Sequence, residues 1–220
     1  MEVNIFGEGA VGYKNIVKSS SSQDFFLYKK YKNYAVCTVA DGHSMDVFKY
    51  SHIGSYLACQ SVFEILKTYK LNEDIEKGEQ NFICDLKNKK VQNDIKNKWR
   101  DLVYREFYKR NYKVYKLDYM LFGTTLSFVI FLKEYIVFFN LGDSSILIKE
   151  DKDYVNVFKN NNFKFVNSLA LYNCEEKMQY SILKMNKDFK LVISTDGFIN
   201  SFETYHKLKS ELDRTFQILE

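Results

Sequence analysis

Apolar positions along this chain follow two periods, and the switch between them outlines the fold. Phe25–Tyr28 and Tyr34–Ala40 read as strands joined by the polar turn Lys29–Asn33. The second of them is nearly all apolar or small, as suits a strand covered on both faces. From about Ser51 to Lys70 the residues Ile53, Leu57, Val62, Ile65, Leu66 and Tyr69 recur at helical spacing. A second helix fits Asp85–Lys113, where Ile95, Trp99, Leu102, Val103 and Phe107 form one stripe. The charged stretch Leu71–Phe82 between them reads as a connecting loop. After Gly123 the period becomes that of strands: Thr124–Leu132, Tyr135–Leu141 and Ser145–Lys149, rich in β-branched and aromatic residues. The breaks at Lys133-Glu134 and Gly142-Asp143 predict hairpin turns. Asp151–Val157, Gln179–Met185 and Lys190–Ser194 are further strands, and the tail from Glu203 reads as helix. Consecutive strands without intervening helices favour antiparallel sheets with helices packed outside, an α+β class.

Composition narrows the picture. The 220 residues are 46% apolar and 27% charged, with 17 Tyr, 19 Phe and no Pro, which excludes disordered and low-complexity chains. No Pro/Ser/Gly-rich linker divides the sequence, so a single domain over 1–220 is expected. The net charge of +4 comes from lysines spread along the chain, with Arg confined to Arg100, Arg105, Arg110 and Arg214. Nucleic-acid binders concentrate their basic residues on one face, so no nucleic-acid partner is expected. Cys37, Cys59, Cys84 and Cys174 form no CxxC pair and suggest buried thiols in a reducing compartment. No apolar run approaches the roughly 20 residues that span a bilayer, and Met1–Ala10 lacks the basic start of a signal peptide. A cytoplasmic protein without membrane attachment is the expectation.

Two acid-glycine pairs stand out because each closes a buried strand: Val39-Ala-Asp41-Gly42-His43 and Ile193-Ser-Thr-Asp196-Gly197. A carboxylate at the end of a core strand is costly unless something cationic meets it. Two such carboxylates brought together repel, and a hard divalent ion with oxygen ligands is the usual remedy. Asp24, opening the first strand, is a third candidate ligand. Asp143, in Gly142-Asp143-Ser144, fits a ligand or a turn equally well. His43 would stand beside the same ions, where an imidazole suits proton donation to a leaving group.

Taken together, Gln23-Asp24, Val39 to His43, Gly123-Thr-Thr125, Leu141-Gly-Asp-Ser144 and Ile193 to Gly197 resemble the PP2C (PPM) metal-dependent protein phosphatases in motif order and spacing. Tyr50-Ser-His-Ile-Gly-Ser55, Asn167-Ser-Leu169 and Asn200-Ser-Phe202 resemble the bacterial members. The resemblance implies an α-β-β-α sandwich of two antiparallel sheets flanked by helices. It also implies hydrolysis of phosphoserine or phosphothreonine by water activated between two Mg²⁺ or Mn²⁺ ions, with a weaker third in some members. Carried over by position, Asp41 bridges the two ions, the Gly42 carbonyl binds one, Asp196 holds the other and Asp24 acts through water. His43 is the general acid and Asp143 serves the third ion. The implied partner is a phosphoprotein substrate, a Ser/Thr kinase or its target.

Three departures bear on this reading. Ser44 and Met45 follow His43 where the family usually has glycines. No Arg precedes Arg100, so Lys18 is left to face the phosphate, as a point charge without bidentate geometry. The final ligand of the family has its nearest match at Leu212-Asp213-Arg214-Thr215. Either Asp213 takes that role after a one-residue shift, or the tail is helical and both ligand and last strand are absent. The weak strand pattern of Glu203–Glu220 favours the second. The alternative to an active phosphatase is thus a catalytically weak pseudophosphatase or phosphoprotein-binding module of the same fold.

Overall fold

The computed structural model describes residues 3–12, 16–17, 22–110, 116–158, 166–185 and 190–219. Strands β1 (Phe25–Lys30), β2 (Ala35–Ala40), β3 (Leu126–Phe131), β4 (Tyr135–Leu141) and β7 (Gln179–Lys184) form one antiparallel sheet in the order β1-β2-β3-β4-β7. Strands β5 (Ser145–Glu150), β6 (Asp153–Asn156) and β8 (Leu191–Ser194) form a second antiparallel sheet, ordered β6-β5-β8.

Strand alternation explains why the five-stranded sheet is apolar on both faces. Val36, Phe128, Ile130, Val137 and Phe139 point to the helices, where they join Leu57, Leu66, Ile95, Trp99 and Val103 in one core. Their neighbours Ala35, Val129, Phe131, Ile136 and Phe138 point the other way and meet Ile146 and Ile148 of the second sheet. Helices α1 (Ser51–Thr68), α2 (Ile75–Lys87) and α3 (Lys90–Arg110) cover the outer face of the first sheet. After the short α4 (Asp196–Asn200), helix α5 (Tyr205–Leu219) lays Leu208 and Leu212 on Leu147 and Tyr154 of the second sheet. The result is the expected α-β-β-α sandwich, with a helical tail.

Two expectations need correction. The stretch read as a loop, Leu71–Phe82, is mostly helix α2. Its N-terminus is capped by Asp74, whose side chain accepts from the Lys77 N–H at 3.1 Å, and Phe82 and Leu86 are fully buried. The single helix expected over Asp85–Lys113 is therefore two. They break at Asn88-Lys89, where Lys89 takes a φ of 59°, and residues 111–113 lie outside the described residues. Second, Gly142-Asp143 is no hairpin turn, because β4 and β5 lie in different sheets. Asn140, buried in β4, donates from Nδ2 to the Gly142 carbonyl at 3.2 Å, and Gly142 turns the chain with a φ of 121°. Any Cβ there would lie 2.5 Å from Thr125 Cγ2, so glycine is required where the chain crosses between sheets.

One helix contact fixes a spacing that the site depends on. A Cβ on Gly54 of α1 would stand 1.9 Å from the Phe122 carbonyl oxygen. The Gly54 carbonyl accepts from Trp99 Nε1 at 3.0 Å, tying α1 to α3 at the same level.

Candidate functional site

Strand β2 runs out of the apolar core at Ala40, and the next residue, Asp41, stands at the mouth of the cleft between the sheets. Its peptide is gripped by the head of β3. The Asp41 N–H donates to Thr125 Oγ1 at 2.9 Å. Its carbonyl accepts from the Thr125 N–H and from Thr124 Oγ1, both at 2.9 Å. Gly42 pairs with Thr124 in an isolated bridge, and the His43 N–H donates to the Gly123 carbonyl at 3.2 Å. Thr124 is itself held by Ser168, whose hydroxyl takes the Thr124 N–H at 3.1 Å. The Gly-Thr-Thr segment is thus a clamp on the Asp-Gly-His loop.

Three of the expected carboxylates come together here. The Asp41 carboxyl interacts with those of both Asp24 and Asp196. Its pKa is raised to about 9, first by burial, then by the Asp24 charge, then by the hydrogen bond and charge of Asp196. Asp24 is raised too, mainly by burial. The Asp41 side chain, the Thr195 hydroxyl at 3.0 Å and the Gly42 N–H oppose that shift by supporting its ionised form. By surface area Asp24 keeps a face open to solvent even though these groups crowd its oxygens. Asp196 opens α4, and its Oδ2 accepts from Asn200 Nδ2 at 3.0 Å.

Asp143 borders the same cleft from the β4–β5 crossover. Burial first, then the charges of Asp196 and Asp24, hold its pKa up. Its Oδ1 is buried without a hydrogen-bond partner. His43 packs against Phe48 in a tilted arrangement, ring centroids 4.7 Å apart and planes at 59°, and burial pushes its pKa down. Lys18 lies outside the described residues.

Asp213 stands elsewhere. It sits on α5, where it accepts from Lys149 Nζ at 2.6 Å and from the Tyr154 hydroxyl at 3.0 Å. These two contacts hold its carboxyl below the ordinary value, the Lys149 bond contributing most. The tail is therefore the helical alternative, and Asp213 does not join the other acids.

Among the described residues, no three His, Cys, Asp or Glu side chains already stand around a common point as a finished ion cage. The cluster is instead a set of crowded carboxyls, three of which have raised pKa values. Its chemistry still suits a hard divalent ion. Asp24, Asp41, Asp143 and Asp196 supply oxygen donors, their mutual repulsion is what a cation would offset, and Asp143 has an oxygen left over. The roles of Thr195 and Ser168 escaped the sequence reading. A hydroxyl before Asp-Gly and one after Asn167 are faint signals, visible in hindsight because both flank residues already singled out.

A family model described as protein phosphatase 2C matches residues 11–220. The chain belongs to that family. Among solved structures, the serine/threonine phosphatase of S. agalactiae aligns over 91% of this chain and 86% of its own, with a TM-score of 0.56 at 18% identity. A bacterial serine phosphatase aligns over 91% of this chain and 85% of its own, with a TM-score of 0.58 at 12% identity. The catalytic domain of the serine/threonine phosphatase PstP, in complex with two manganese ions, aligns over 83% and 74%, with a TM-score of 0.51 at 11% identity. At these identities the likeness concerns the protein phosphatase 2C fold. No curated protein matches the sequence. No helix among the described residues is long and apolar enough to cross a membrane.

Proposed function

We propose that this protein is a metal-dependent protein serine/threonine phosphatase. The observation that carries the reading is the meeting of the Asp24, Asp41 and Asp196 carboxyls, from three distant segments, at the end of the sandwich. Family membership supplies the reaction class. When bound, two Mg²⁺ or Mn²⁺ ions would supply an activated water at neutral pH and offset the charge of the phosphoryl oxygens.

In this reading Asp41 and Asp196 would hold the ions, with the Gly42 carbonyl assisting, Asp24 acting through water and Asp143 serving a weaker third. The Thr124-Thr125 clamp keeps the Asp41 main chain still. His43 gives its proton to the departing serine or threonine oxygen, a leaving group too basic to depart unaided. Its lowered pKa makes it a stronger acid but reduces its protonated share at neutral pH. The cleft, about 2810 Å³, far exceeds the roughly 300–1,000 Å³ of small-molecule pockets and suits a polypeptide substrate. The partner is accordingly a phosphoprotein, a Ser/Thr kinase or its target.

A second reading, a weak phosphatase that mainly binds phosphoproteins, draws support from Asp213. Lys149 and Tyr154 hold its carboxylate on α5, so it does not stand with the cluster acids. One assay separates the two readings. Hydrolysis of p-nitrophenyl phosphate and of a phosphothreonine peptide in millimolar Mn²⁺, abolished by Asp41→Ala, supports the first. Phosphopeptide binding without turnover selects the second, and neither activity overturns both.

A further inference from the structure

Gln23 has no part in the reaction described so far, yet it touches the Gly42-His43 segment and the start of α1. Its carboxamide Nε2 makes two hydrogen bonds, to the His43 carbonyl and to Ser51 Oγ at the start of α1, both at 3.1 Å. Its own carbonyl accepts from Ser55 Oγ, one turn further along α1, at 2.6 Å. Gly42 packs directly on it: a Cβ there would come within 2.5 Å of the Gln23 carbonyl oxygen and 3.0 Å of the Ser51 carbonyl. The residue after Gln23 is Asp24, whose carboxyl lies near the Gly42 main chain.

These contacts tie the 22–24 and 41–43 segments together from both sides. Gly42 packs on the Gln23 carbonyl, and the Gln23 amide reaches back to His43. The His43 peptide is held at its nitrogen by the Gly123 carbonyl and at its oxygen by Gln23. With both ends fixed, the imidazole keeps its side-chain torsions alone to choose its place against Phe48. An amide suits this task, because both of its N–H groups find acceptors and neither carries a charge that would compete with the acids beside it.

We propose that Gln23 is a positioning residue that fixes the His43 imidazole relative to the acidic cluster, so that its proton points at the departing oxygen. The proposal rests on the reading of His43 as proton donor given above. A proton donor displaced by about 1 Å can lose up to roughly 10²-fold in rate.

The test uses the full chain with Gln23→Met, which keeps the stem and removes both donors, and Gln23→Glu, which is isosteric and turns an acceptor towards the His43 carbonyl. Either variant should lower kcat for a phosphothreonine peptide about tenfold or more, with KM within about threefold. Turnover of p-nitrophenyl phosphate, whose leaving group departs without a proton, should change by less than about threefold. In a His43→Ala background, Gln23→Met should add less than about twofold, because the residue through which it acts is gone. Independently of activity, the His43 imidazole C–H resonance of the metal-free protein should shift in Gln23→Met while that of His206 stays in place. Equal losses on both substrates, additive losses in the double variant, or an unmoved His43 resonance overturn the proposal. If neither variant folds, Gln23 is structural and the proposal is likewise overturned. A wild-type protein inert towards both substrates in Mn²⁺ instead overturns the phosphatase reading, and the resonance shift still decides whether Gln23 places His43.

Discussion

The main-chain N–H of Asp41 meets the hydroxyl of Thr125 at 2.9 Å, 84 residues away in sequence. Thr125 is almost fully buried, so the bond is shielded from water, and Thr124 grips the carbonyl of the same aspartate at 2.9 Å. The strand pair β2–β3 therefore delivers a carboxylate to the cleft with its peptide held on both sides.

Thr125→Val keeps the shape of that side chain and removes the acceptor. The Asp41 N–H is then left unpaired, at a cost of about 1–3 kcal/mol in stability. Chemical denaturation of the metal-free variant should register that loss, and calorimetric titration should show weaker Mn²⁺ binding than in wild type. Unchanged metal affinity beside the stability loss would mean the clamp serves the fold alone.

The raised pKa of Asp41 predicts an inverted pH response in metal-free protein. An unfolded aspartate titrates near 3.9, whereas folded Asp41 titrates at about 9. Between those values the folded state holds a proton that the unfolded state has released, so stability falls as pH rises. The contribution is complete below pH 4 and disappears through pH 9, with a slope of at most about 1.4 kcal/mol per pH unit. Thermal midpoints in chelator should drop from pH 5 to pH 9, and Asp41→Asn should flatten the trend. A midpoint that climbs across this range would show Asp41 ionised.

Removing one charge from the cluster separates catalysis from folding. Asp196→Asn should cut Mn²⁺-dependent hydrolysis by orders of magnitude while leaving the metal-free thermal midpoint unchanged or higher, because repulsion with Asp24 and Asp143 is relieved. A variant that unfolds without metal would make Asp196 a structural residue.

Asp213 offers the opposite test. Its bond to Lys149 is partly solvated, so Asp213→Asn should change stability little and leave Mn²⁺ affinity as it was. A markedly weaker affinity would mean that the carboxylate leaves Lys149 and Tyr154 to reach the cluster.

How far these features could be read from the sequence depended on whether they are local. The run Tyr34–Ala40 ending in Asp41-Gly42 announces a buried strand and an acid at its end without reference to the rest of the chain. Helix α2 was hidden because its buried positions, Gly78, Glu79, Phe82 and Leu86, lie among lysines and glutamates that mimic a loop. The break at Lys89 was hidden because a lysine, rather than a glycine, takes the left-handed conformation. Asp24, Asp41, Asp143 and Asp196 were legible through their turn neighbours and the family pattern. Ser168 and Thr195 were not, since a hydroxyl gains meaning from what lies across from it. Gly142-Asp143 looked like a hairpin because alternation of apolar residues is the same whether the next strand joins its own sheet or the opposite one.

The contact between Gly54 and the Phe122 carbonyl reaches further than packing. Phe122 leads straight into the Gly-Thr-Thr clamp, so the clearance between helix and strand head is handed on to Asp41. Position 54 works as a gauge block one hydrogen atom thick. Single steps of sequence drift are closed to it: any larger side chain demands a second change that moves the peptide at 122, and such changes must arrive in pairs.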